Sequence, residues 1–460
     1  MWQRLMFVSA LAFWLWYWLV QRALGPFGPD DTFFLHMFWM LKAGAKQYVD
    51  FNSYHLPLYF DLLTPLLPDG ADLSFSWWLR GLCVLIVAGY AVLVRPALWP
   101  FMLAFIVFGR MAEIRPDTFG ILLFNLAWFL LLKDRKYILL AAALSALAML
   151  FSARAALMMI GMVLLLLWLT RNDRPTLYRL IGIGLMFVLA IMSVAYLDPA
   201  WSELLVRSVF INTLGLFPRM SLAERFLEIE RISLAAMVVV ALVASIVSLR
   251  RGGGERALII GFACAAQLGL ILADPLPYGY VYGWAMIPTL AGLSVAATLI
   301  DGTDRPLAWG AFASAAGMLA LALSYPLRNG QAPAIGSYAN LTLRAPLPPG
   351  AFAVMSTPHL VALTLKQGTP WDQLATREEL CRRIKGTVAV HFWYQPICKR
   401  DAVRDWIGQT WTPDELEMIV TTQRPGLIIW GEQPHWPKHL LRGYDVYPGF
   451  ALRQTSSGRP

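Results

Sequence analysis

Arg115-Pro116-Asp117-Thr118-Phe119-Gly120-Ile121-Leu122-Leu123-Phe124-Asn125-Leu126-Ala127-Trp128-Phe129-Leu130-Leu131-Leu132-Lys133 is an apolar run closed by charge at both ends. The run, 117–132, approaches the roughly 20 residues a helix needs to cross a bilayer. Pro suits the first turn of a helix, and an acidic residue there complements the helix dipole. The stretch therefore predicts a membrane helix that starts at Arg115-Pro116-Asp117 and stops at a basic turn, Lys133, Arg135 and Lys136.

Comparable runs lie at about 4–24, 76–94, 96–110, 137–152, 155–170, 180–197, 233–249, 257–273, 284–300 and 307–325. Together they predict a polytopic α-helical membrane protein with about eleven transmembrane helices. Composition agrees: the chain is 58% hydrophobic and 15% charged, with a mean hydropathy of +0.55, whereas a soluble domain carries about 25% charged residues. The net charge of +9 does not point to nucleic acid. Its basic residues sit in short clusters between apolar runs, where topology signals belong. The first run ends in Gln21-Arg22-Ala23-Leu24-Gly25, without a small-residue cleavage site, and reads as an anchor rather than a removed signal peptide.

Basic residues in the short loops set the expected orientation. Lys133, Arg135 and Lys136, then Arg171, Arg174 and Arg179, then Arg250, Arg251 and Arg256 fall on one side. The opposite turns, Ser152-Ala153-Arg154 and 274–282, are much less basic. The N-terminus is thus expected in the cytoplasm and the C-terminus outside. Two long loops, 25–75 and 198–232, are then external. The first holds half-apolar pieces, Phe33 to Leu41 and Leu56 to Leu67, that suit helices lying in the membrane interface. After 325 the chain turns Pro-rich, then alternates β-like runs (351–355, 387–393, 426–430) with helical stretches such as the capped start Thr412-Pro413-Asp414-Glu415. Residues 1–325 are read as the transmembrane domain and 326–460 as an external α/β domain. Cys381 and Cys398 lie in that tail; an external compartment permits their pairing as a disulfide, and two free thiols are the equal alternative.

Candidate chemistry collects on the external side. Asp30-Asp31 precedes the first interfacial piece. A helix cap explains one of these carboxylates easily and two less well; the functional alternative is a general base that deprotonates an incoming hydroxyl, its neighbour helping to bind a metal or acceptor. Asp30 is slightly favoured, since it follows Pro29 directly. Arg115 and Asp117 form a denser charged turn than a simple connection requires. Asp117, at a helix N-terminus, suits binding of an acceptor, a metal or a donor head group better than accepting a proton. His55, Arg154 and Arg219 are candidates for a phosphate, guanidinium being the better fit, whereas an interfacial Arg also snorkels. Asp50, Tyr54, Tyr280 and Tyr282 are candidate substrate contacts; for the tyrosines an interfacial aromatic belt is as good an account. Phosphate-binding glycine loops, zinc spacings and a Gly-x-Ser-x-Gly elbow are absent from the sequence.

In order and spacing these motifs resemble the polyprenyl-phosphate-sugar-dependent glycosyltransferases of the GT-C class. The similarity is to the bacterial branch with the lipid A aminoarabinose transferase and relatives of protein O-mannosyltransferases. It rests on Asp30-Asp31, Phe33 to Leu41, Gly44, Tyr48-Val49-Asp50-Phe51, His55 before Pro57, Arg115-Pro116-Asp117 and Arg154, all within 25–160. Many relatives carry Lys where His55 stands. The resemblance implies a GT-C-like fold and inverting transfer of a sugar from a polyprenyl-phosphate carrier to a glycolipid, glycan or protein acceptor. The implied setting is the external face of a bacterial inner membrane. Asp30 or Asp31 would be the base with Asp117 as partner, and Arg115, Arg154, Arg219 and His55 would serve the donor phosphate. A divalent cation, where the reaction uses one, would draw on Asp30, Asp31 and Asp117; no nucleotide cofactor is implied. A transporter or lipid flippase, or a non-catalytic subunit with an external binding domain, is the competing expectation.

Overall fold

Charged turns and helix-breaking residues divide the apolar sequence into rods whose ends can be read off the chain. The computed structural model describes residues 38, 41, 56–66, 85–86, 88–108, 111, 115–197, 221, 229–274, 279–302, 353–355, 421, 427–429, 438–447 and 450–454. By contact the chain falls into two units. One comprises Met1–Ala23, Tyr54–Tyr59 and Leu79–Ser324; the other comprises Leu24–Ser53, Phe60–Trp78 and Tyr325–Pro460.

The described helices are α1 (Leu58–Leu63), α2 (Trp99–Phe108), α3 (Pro116–Lys133), α4 (Ile138–Met149), α5 (Ala155–Thr170), α6 (Arg174–Leu197), α7 (Ile229–Arg250), α8 (Gly254–Ala273) and α9 (Met286–Asp301). Their starts follow local chemistry. Pro116 opens α3 behind an extended Arg115. Asp173 receives the Thr176 amide at 3.2 Å, and Pro175 follows in the first turn of α6. A left-handed Gly302 (φ +63°) closes α9, a conformation only glycine adopts cheaply.

Among the described residues four helices are long and apolar enough to cross a membrane: α3, α6, α7 and α8; α5 and α9 are apolar but shorter. The described chain is therefore a helical membrane protein. Of the expected runs, 117–132, 137–152, 155–170, 180–197, 233–249, 257–273 and 284–300 coincide with α3 to α9 to within a few residues, apart from the early start of α6. The run 96–110 becomes the ten-residue α2. Runs 4–24 and 307–325 lie outside the described residues.

Consecutive helices from α3 to α6 pack as hairpins, and α7 lies against both α8 and α9. Their core is aromatic: Phe124, Trp128 and Trp284 are fully buried, and the Phe124 ring lies 5.8 Å from Trp128 and 5.9 Å from Trp284. Elsewhere small residues let backbones approach. A Cβ on Gly161 of α5 would stand 2.5 Å from the Ala266 Cβ of α8, and one on Gly292 of α9 would stand 2.5 Å from the Ala241 Cβ of α7. Lipid supplies no hydrophobic drive for helices to associate, so such close packing and buried polar bonds must do so. By contrast α6 shows its apolar side chains outward, Leu185 58% and Leu189 64% exposed, as a lipid-facing helix does.

The three basic turns share one end of the bundle. Arg135, after α3, donates to Glu255 at the start of α8 at 3.1 Å, and to the Leu169 carbonyl in the last turn of α5. The expected gathering of Lys133, Arg135 and Lys136 with the turns 171–174 and 250–254 is thus a feature of the fold.

In the second unit, β1 (Ala353–Met355), β2 (Leu427–Ile429), β3 (Tyr444–Tyr447) and β4 (Phe450–Arg453) form one mixed sheet in the order β1-β2-β4-β3. β1 and β2 run parallel, Ala353 opposite Leu427, while β4 is antiparallel to both neighbours. Two of the expected β-like runs, 351–355 and 426–430, therefore pair with each other. Run 387–393, the capped start at Thr412, Cys381 and Cys398 lie outside the described residues.

Candidate active site at one end of the bundle

The end opposite the basic turns carries a buried charged cluster. α3 contributes Arg115 and Asp117 at its first turn, the α4–α5 connection contributes Ser152 and Arg154, and the end of α8 contributes Asp274. Arg115, Asp117, Ser152 and Asp274 are each at most 5% exposed. Arg154 is the open member, with its side chain 25% exposed.

Asp117 is the hub. The Ser152 hydroxyl donates to its Oδ1, Arg154 Nη1 stands 3.7 Å from the same oxygen, and Arg115 Nη2 stands 3.7 Å from Oδ2. Arg154 Nε donates to Asp274 Oδ2 at 2.6 Å. Both guanidiniums lie against one ring: the Tyr280 centroid is 3.6 Å from Arg115 Cζ and 4.8 Å from Arg154 Cζ. Charges taken out of water are costly unless paired, and here each guanidinium stands no farther than 3.7 Å from a carboxylate oxygen.

The cluster biases its own protonation. Burial alone would pull Arg154 down, but the Asp274 carboxylate, and behind it that of Asp117, raise it above its ordinary value, so it stays cationic. Burial pushes the Tyr280 phenol up to about 12, against the pull of Arg154 and Arg115. Tyr280 is therefore a neutral platform at ordinary pH.

Two amides inside the membrane helices fix that platform. Tyr280 lies in a 3₁₀ turn, Gly279–Gly283, whose backbone cannot satisfy itself as an α-helix would. Gln267 of α8 donates to the Val281 carbonyl at 2.7 Å and accepts from the Ala285 amide at 2.8 Å. Asn125 of α3 donates to the Gly283 carbonyl at 2.8 Å and accepts from the Ile287 amide at 2.9 Å. Each side chain thus serves one carbonyl of the turn and one orphan amide at the start of α9. Buried backbone groups at such a junction between helices are tolerable only with partners of this kind. Tyr282, in the same turn, is fully buried.

Aromatic rings flank the charges. Phe119, two residues after Asp117, stacks on Phe151 with ring centroids 5.9 Å apart, and the Tyr59 ring of α1 lies 5.3 Å from Phe119. The stretch that follows His55 is in this way anchored beside the first turn of α3.

Of the residues expected from sequence, Arg115, Asp117, Arg154 and Tyr280 come together. Asp30, Asp31, Asp50, Tyr54, His55 and Arg219 lie outside the described residues. Asp274 and Ser152 are additions. The signal for Asp274 was present: it is the acidic residue in the turn facing Ser152-Ala153-Arg154 on the weakly basic side. Among the described residues no three His, Cys, Asp or Glu side chains converge as metal ligands. With guanidiniums on both sides, Asp117 is poorly placed to hold a cation. In comparisons with known proteins, no family model, curated protein or solved structure matches the chain.

Proposed function

We propose that this protein is an integral-membrane glycosyltransferase that moves a sugar from a polyprenyl-phosphate carrier to a cell-envelope acceptor. The observation that carries the reading is the Arg115–Asp117–Arg154–Asp274–Tyr280 cluster at one end of the bundle. A departing lipid phosphate needs cationic stabilisation that is already organised before reaction, and Arg154 is a charged, partly open guanidinium held at a fixed angle. The attacking hydroxyl needs a base, which this reading assigns to Asp30 or Asp31; Asp117, tied to Ser152 and two guanidiniums, orients the cationic wall. The reading includes a GT-C-like fold of about eleven spans, an external 326–460 domain and a bacterial inner-membrane setting with the basic end in the cytoplasm.

One observation weighs against the transporter alternative. Among the described residues the buried charged side chains, Arg115, Asp117, Arg231 and Asp274, all belong to helix ends, whereas polar groups buried within helices, Asn125, Ser145, Ser245, Gln267 and Thr289, are uncharged. An ion or proton path through a membrane calls for ionisable groups at depth.

The test has two parts. Mass spectrometry of envelope glycolipids and glycans, with and without the protein, identifies a sugar that depends on it. Purified Asp30→Asn and Asp31→Asn variants are then assayed for transfer, and one should lose at least about two orders of magnitude in turnover. Wild-type transfer by both, singly and combined, refutes the mechanism, and an unchanged glycan inventory refutes the transferase reading.

A further inference from the structure

The basic end of the bundle holds more positive charge than its own acids can balance. Its three turns, 133–136, 171–179 and 250–256, carry nine Lys and Arg side chains against three acids. Two of those acids are engaged there: Glu255 pairs with Arg135, and Asp134 with Lys136. The third, Asp173, accepts the Thr176 amide at the start of α6. Basic turns direct the insertion of their spans, which accounts for the charge. It does not account for how one of these arginines is held.

That residue is Arg171, immediately after α5. Its guanidinium lies over the Trp168 ring, with Cζ 3.7 Å from the centroid, and its Nη1 donates to the Trp168 carbonyl at 3.1 Å. A guanidinium has five donors, so most stay open, and neither Arg171 nor Arg174 pairs with an acid among the described residues. The Asp173 amide closes the turn on the Thr170 carbonyl at 2.8 Å, which keeps Arg174, the first residue of α6, on the same rim. Trp168 is itself 40% exposed and ends an outward apolar lane of α5 made by Ile160, Leu164 and Leu167. The spacing of those four residues places them on one helix face. A second lane, Tyr178, Ile181 and Leu185, leaves the same rim along α6.

We infer that this end of the α5–α6 hairpin seats an anionic phospholipid. Its phosphate lies on Arg171 and Arg174, with the Trp168 ring as the fixed support of the first guanidinium, and its acyl chains follow the exposed lanes of α5 and α6. Charge complementarity selects the ligand. Guanidinium suits phosphate, and an anionic head group brings no cation of its own into a rim already rich in arginine, as a zwitterionic one does. Indole rings favour the head-group level of a bilayer, and basic sites beside membrane helices hold anionic lipids. The seat is at the opposite end of the bundle from Arg154, so its lipid is neither donor nor acceptor. It requires only that the bundle lie in a membrane and stands apart from the transferase reading.

The experiment reads bound lipid rather than transfer. Full-length protein in dodecyl maltoside micelles is titrated with dioleoylphosphatidylglycerol or dioleoylphosphatidylcholine, and retained lipid is counted by native mass spectrometry. The wild type should prefer the anionic lipid by about tenfold or more. Arg171→Gln/Arg174→Gln should lose that preference, Arg250→Gln/Arg251→Gln should keep it, and Trp168→Leu should weaken it at least about twofold. Equal retention of the two lipids by the wild type overturns the inference, as does an unchanged preference in Arg171→Gln/Arg174→Gln or in Trp168→Leu. Equal losses from the two arginine pairs would show diffuse attraction to the whole basic end, which also overturns it. Soluble sn-glycerol 3-phosphate is the second arm: displacement of the lipid at matching concentration would mean a site for free anions and refute the lipid assignment. Should the Arg171 and Trp168 variants not fold, a structure of the wild type in phosphatidylglycerol nanodiscs decides, and a lipid phosphate missing from Arg171 sinks the idea. Sugar transfer enters none of these readouts, so failure here leaves the transferase reading standing, and failure of transfer leaves this seat.

Discussion

Replacing Gln267 with Met, and Asn125 with Leu, removes the amides that hold the Tyr280 turn while keeping side-chain size nearly constant. Each change strands one carbonyl and one amide: Val281 and Ala285 for Gln267, Gly283 and Ile287 for Asn125. Two magnitudes compete. Interhelical side-chain bonds in membranes average only about 0.6 kcal/mol, because the unfolded chain finds other partners. A buried backbone group left without a partner costs about 1–3 kcal/mol. The second applies here, since the stranded groups belong to a non-helical turn and the open end of α9 and gain no intrahelical bond instead. We expect about 4 kcal/mol for each substitution, from two stranded groups at the middle of that range. In the double variant the sum should fall short by about 1 kcal/mol, because one turn released by either change has less to lose from the other. The assay is reversible unfolding of purified protein in dodecyl maltoside with rising sodium dodecyl sulfate, followed by circular dichroism and arranged as a double-mutant cycle. Costs below about 0.5 kcal/mol for both single variants, under the resolution of ordinary surface changes, would show that the amides do not hold the turn.

Three further outcomes follow from the same geometry. Gly292→Val drives a side chain into Ala241, whose Cα lies only 2.8 Å from the added Cβ; it should cost at least about 3 kcal/mol in the same assay. Gly182→Ala, with nothing within 4 Å of its Cβ, should be neutral or stabilise by up to about 1 kcal/mol, and an equal loss at both positions would contradict the packing. The Tyr280 phenol, pushed up to about 12 from an ordinary 10.0, holds its proton in the folded state where the unfolded chain releases it. Its contribution is intact below pH 10 and is lost as pH rises towards 12, by up to about 3 kcal/mol. Stability measured across that window should fall less steeply in Tyr280→Phe, and identical slopes would refute the assignment. Glu255→Gln removes the exposed pair with Arg135 and should cost under about 1 kcal/mol. Arg135→Ala, which also gives up the Leu169 carbonyl, should cost measurably more; the reverse order would show that the ion pair and not the carbonyl bond holds the turn.

How far the chain could be read from its letters depended on the distance over which each feature is decided. Arg115-Pro116-Asp117 and Lys133 delimit α3 because capping, proline geometry and apolar length are all local, and α5 falls on 155–170 for the same reason. α6 starts at Arg174 rather than 180, since Asp173 and Pro175 favour a helix start that hydropathy alone overlooks. The common side of Asp117 and Arg154 followed from the alternation of basic and non-basic turns. The same alternation puts Asp274 on that side, but its pairing with Arg154 did not follow, because the two stand 120 positions apart and no periodicity links them. Tyr280 illustrates the same limit. Its alternation with Tyr282 suggested an aromatic belt or a substrate contact. Only the crossing of α3, α5 and α8 makes Tyr280 a shared face for two guanidiniums and Tyr282 a core residue.

Arg135 has a history as well as a position. It bonds a residue made 120 positions later, so at about 5–20 residues per second it waits roughly 6–24 s for Glu255 to be synthesised. In the meantime its contact to the Leu169 carbonyl, made only 34 positions on, can already tie the turn after α3 to the last turn of α5. Once α8 arrives, the same group closes the bundle by joining three turns. The latch is thus set in two stages, the nearer bond first and the ion pair with Glu255 last.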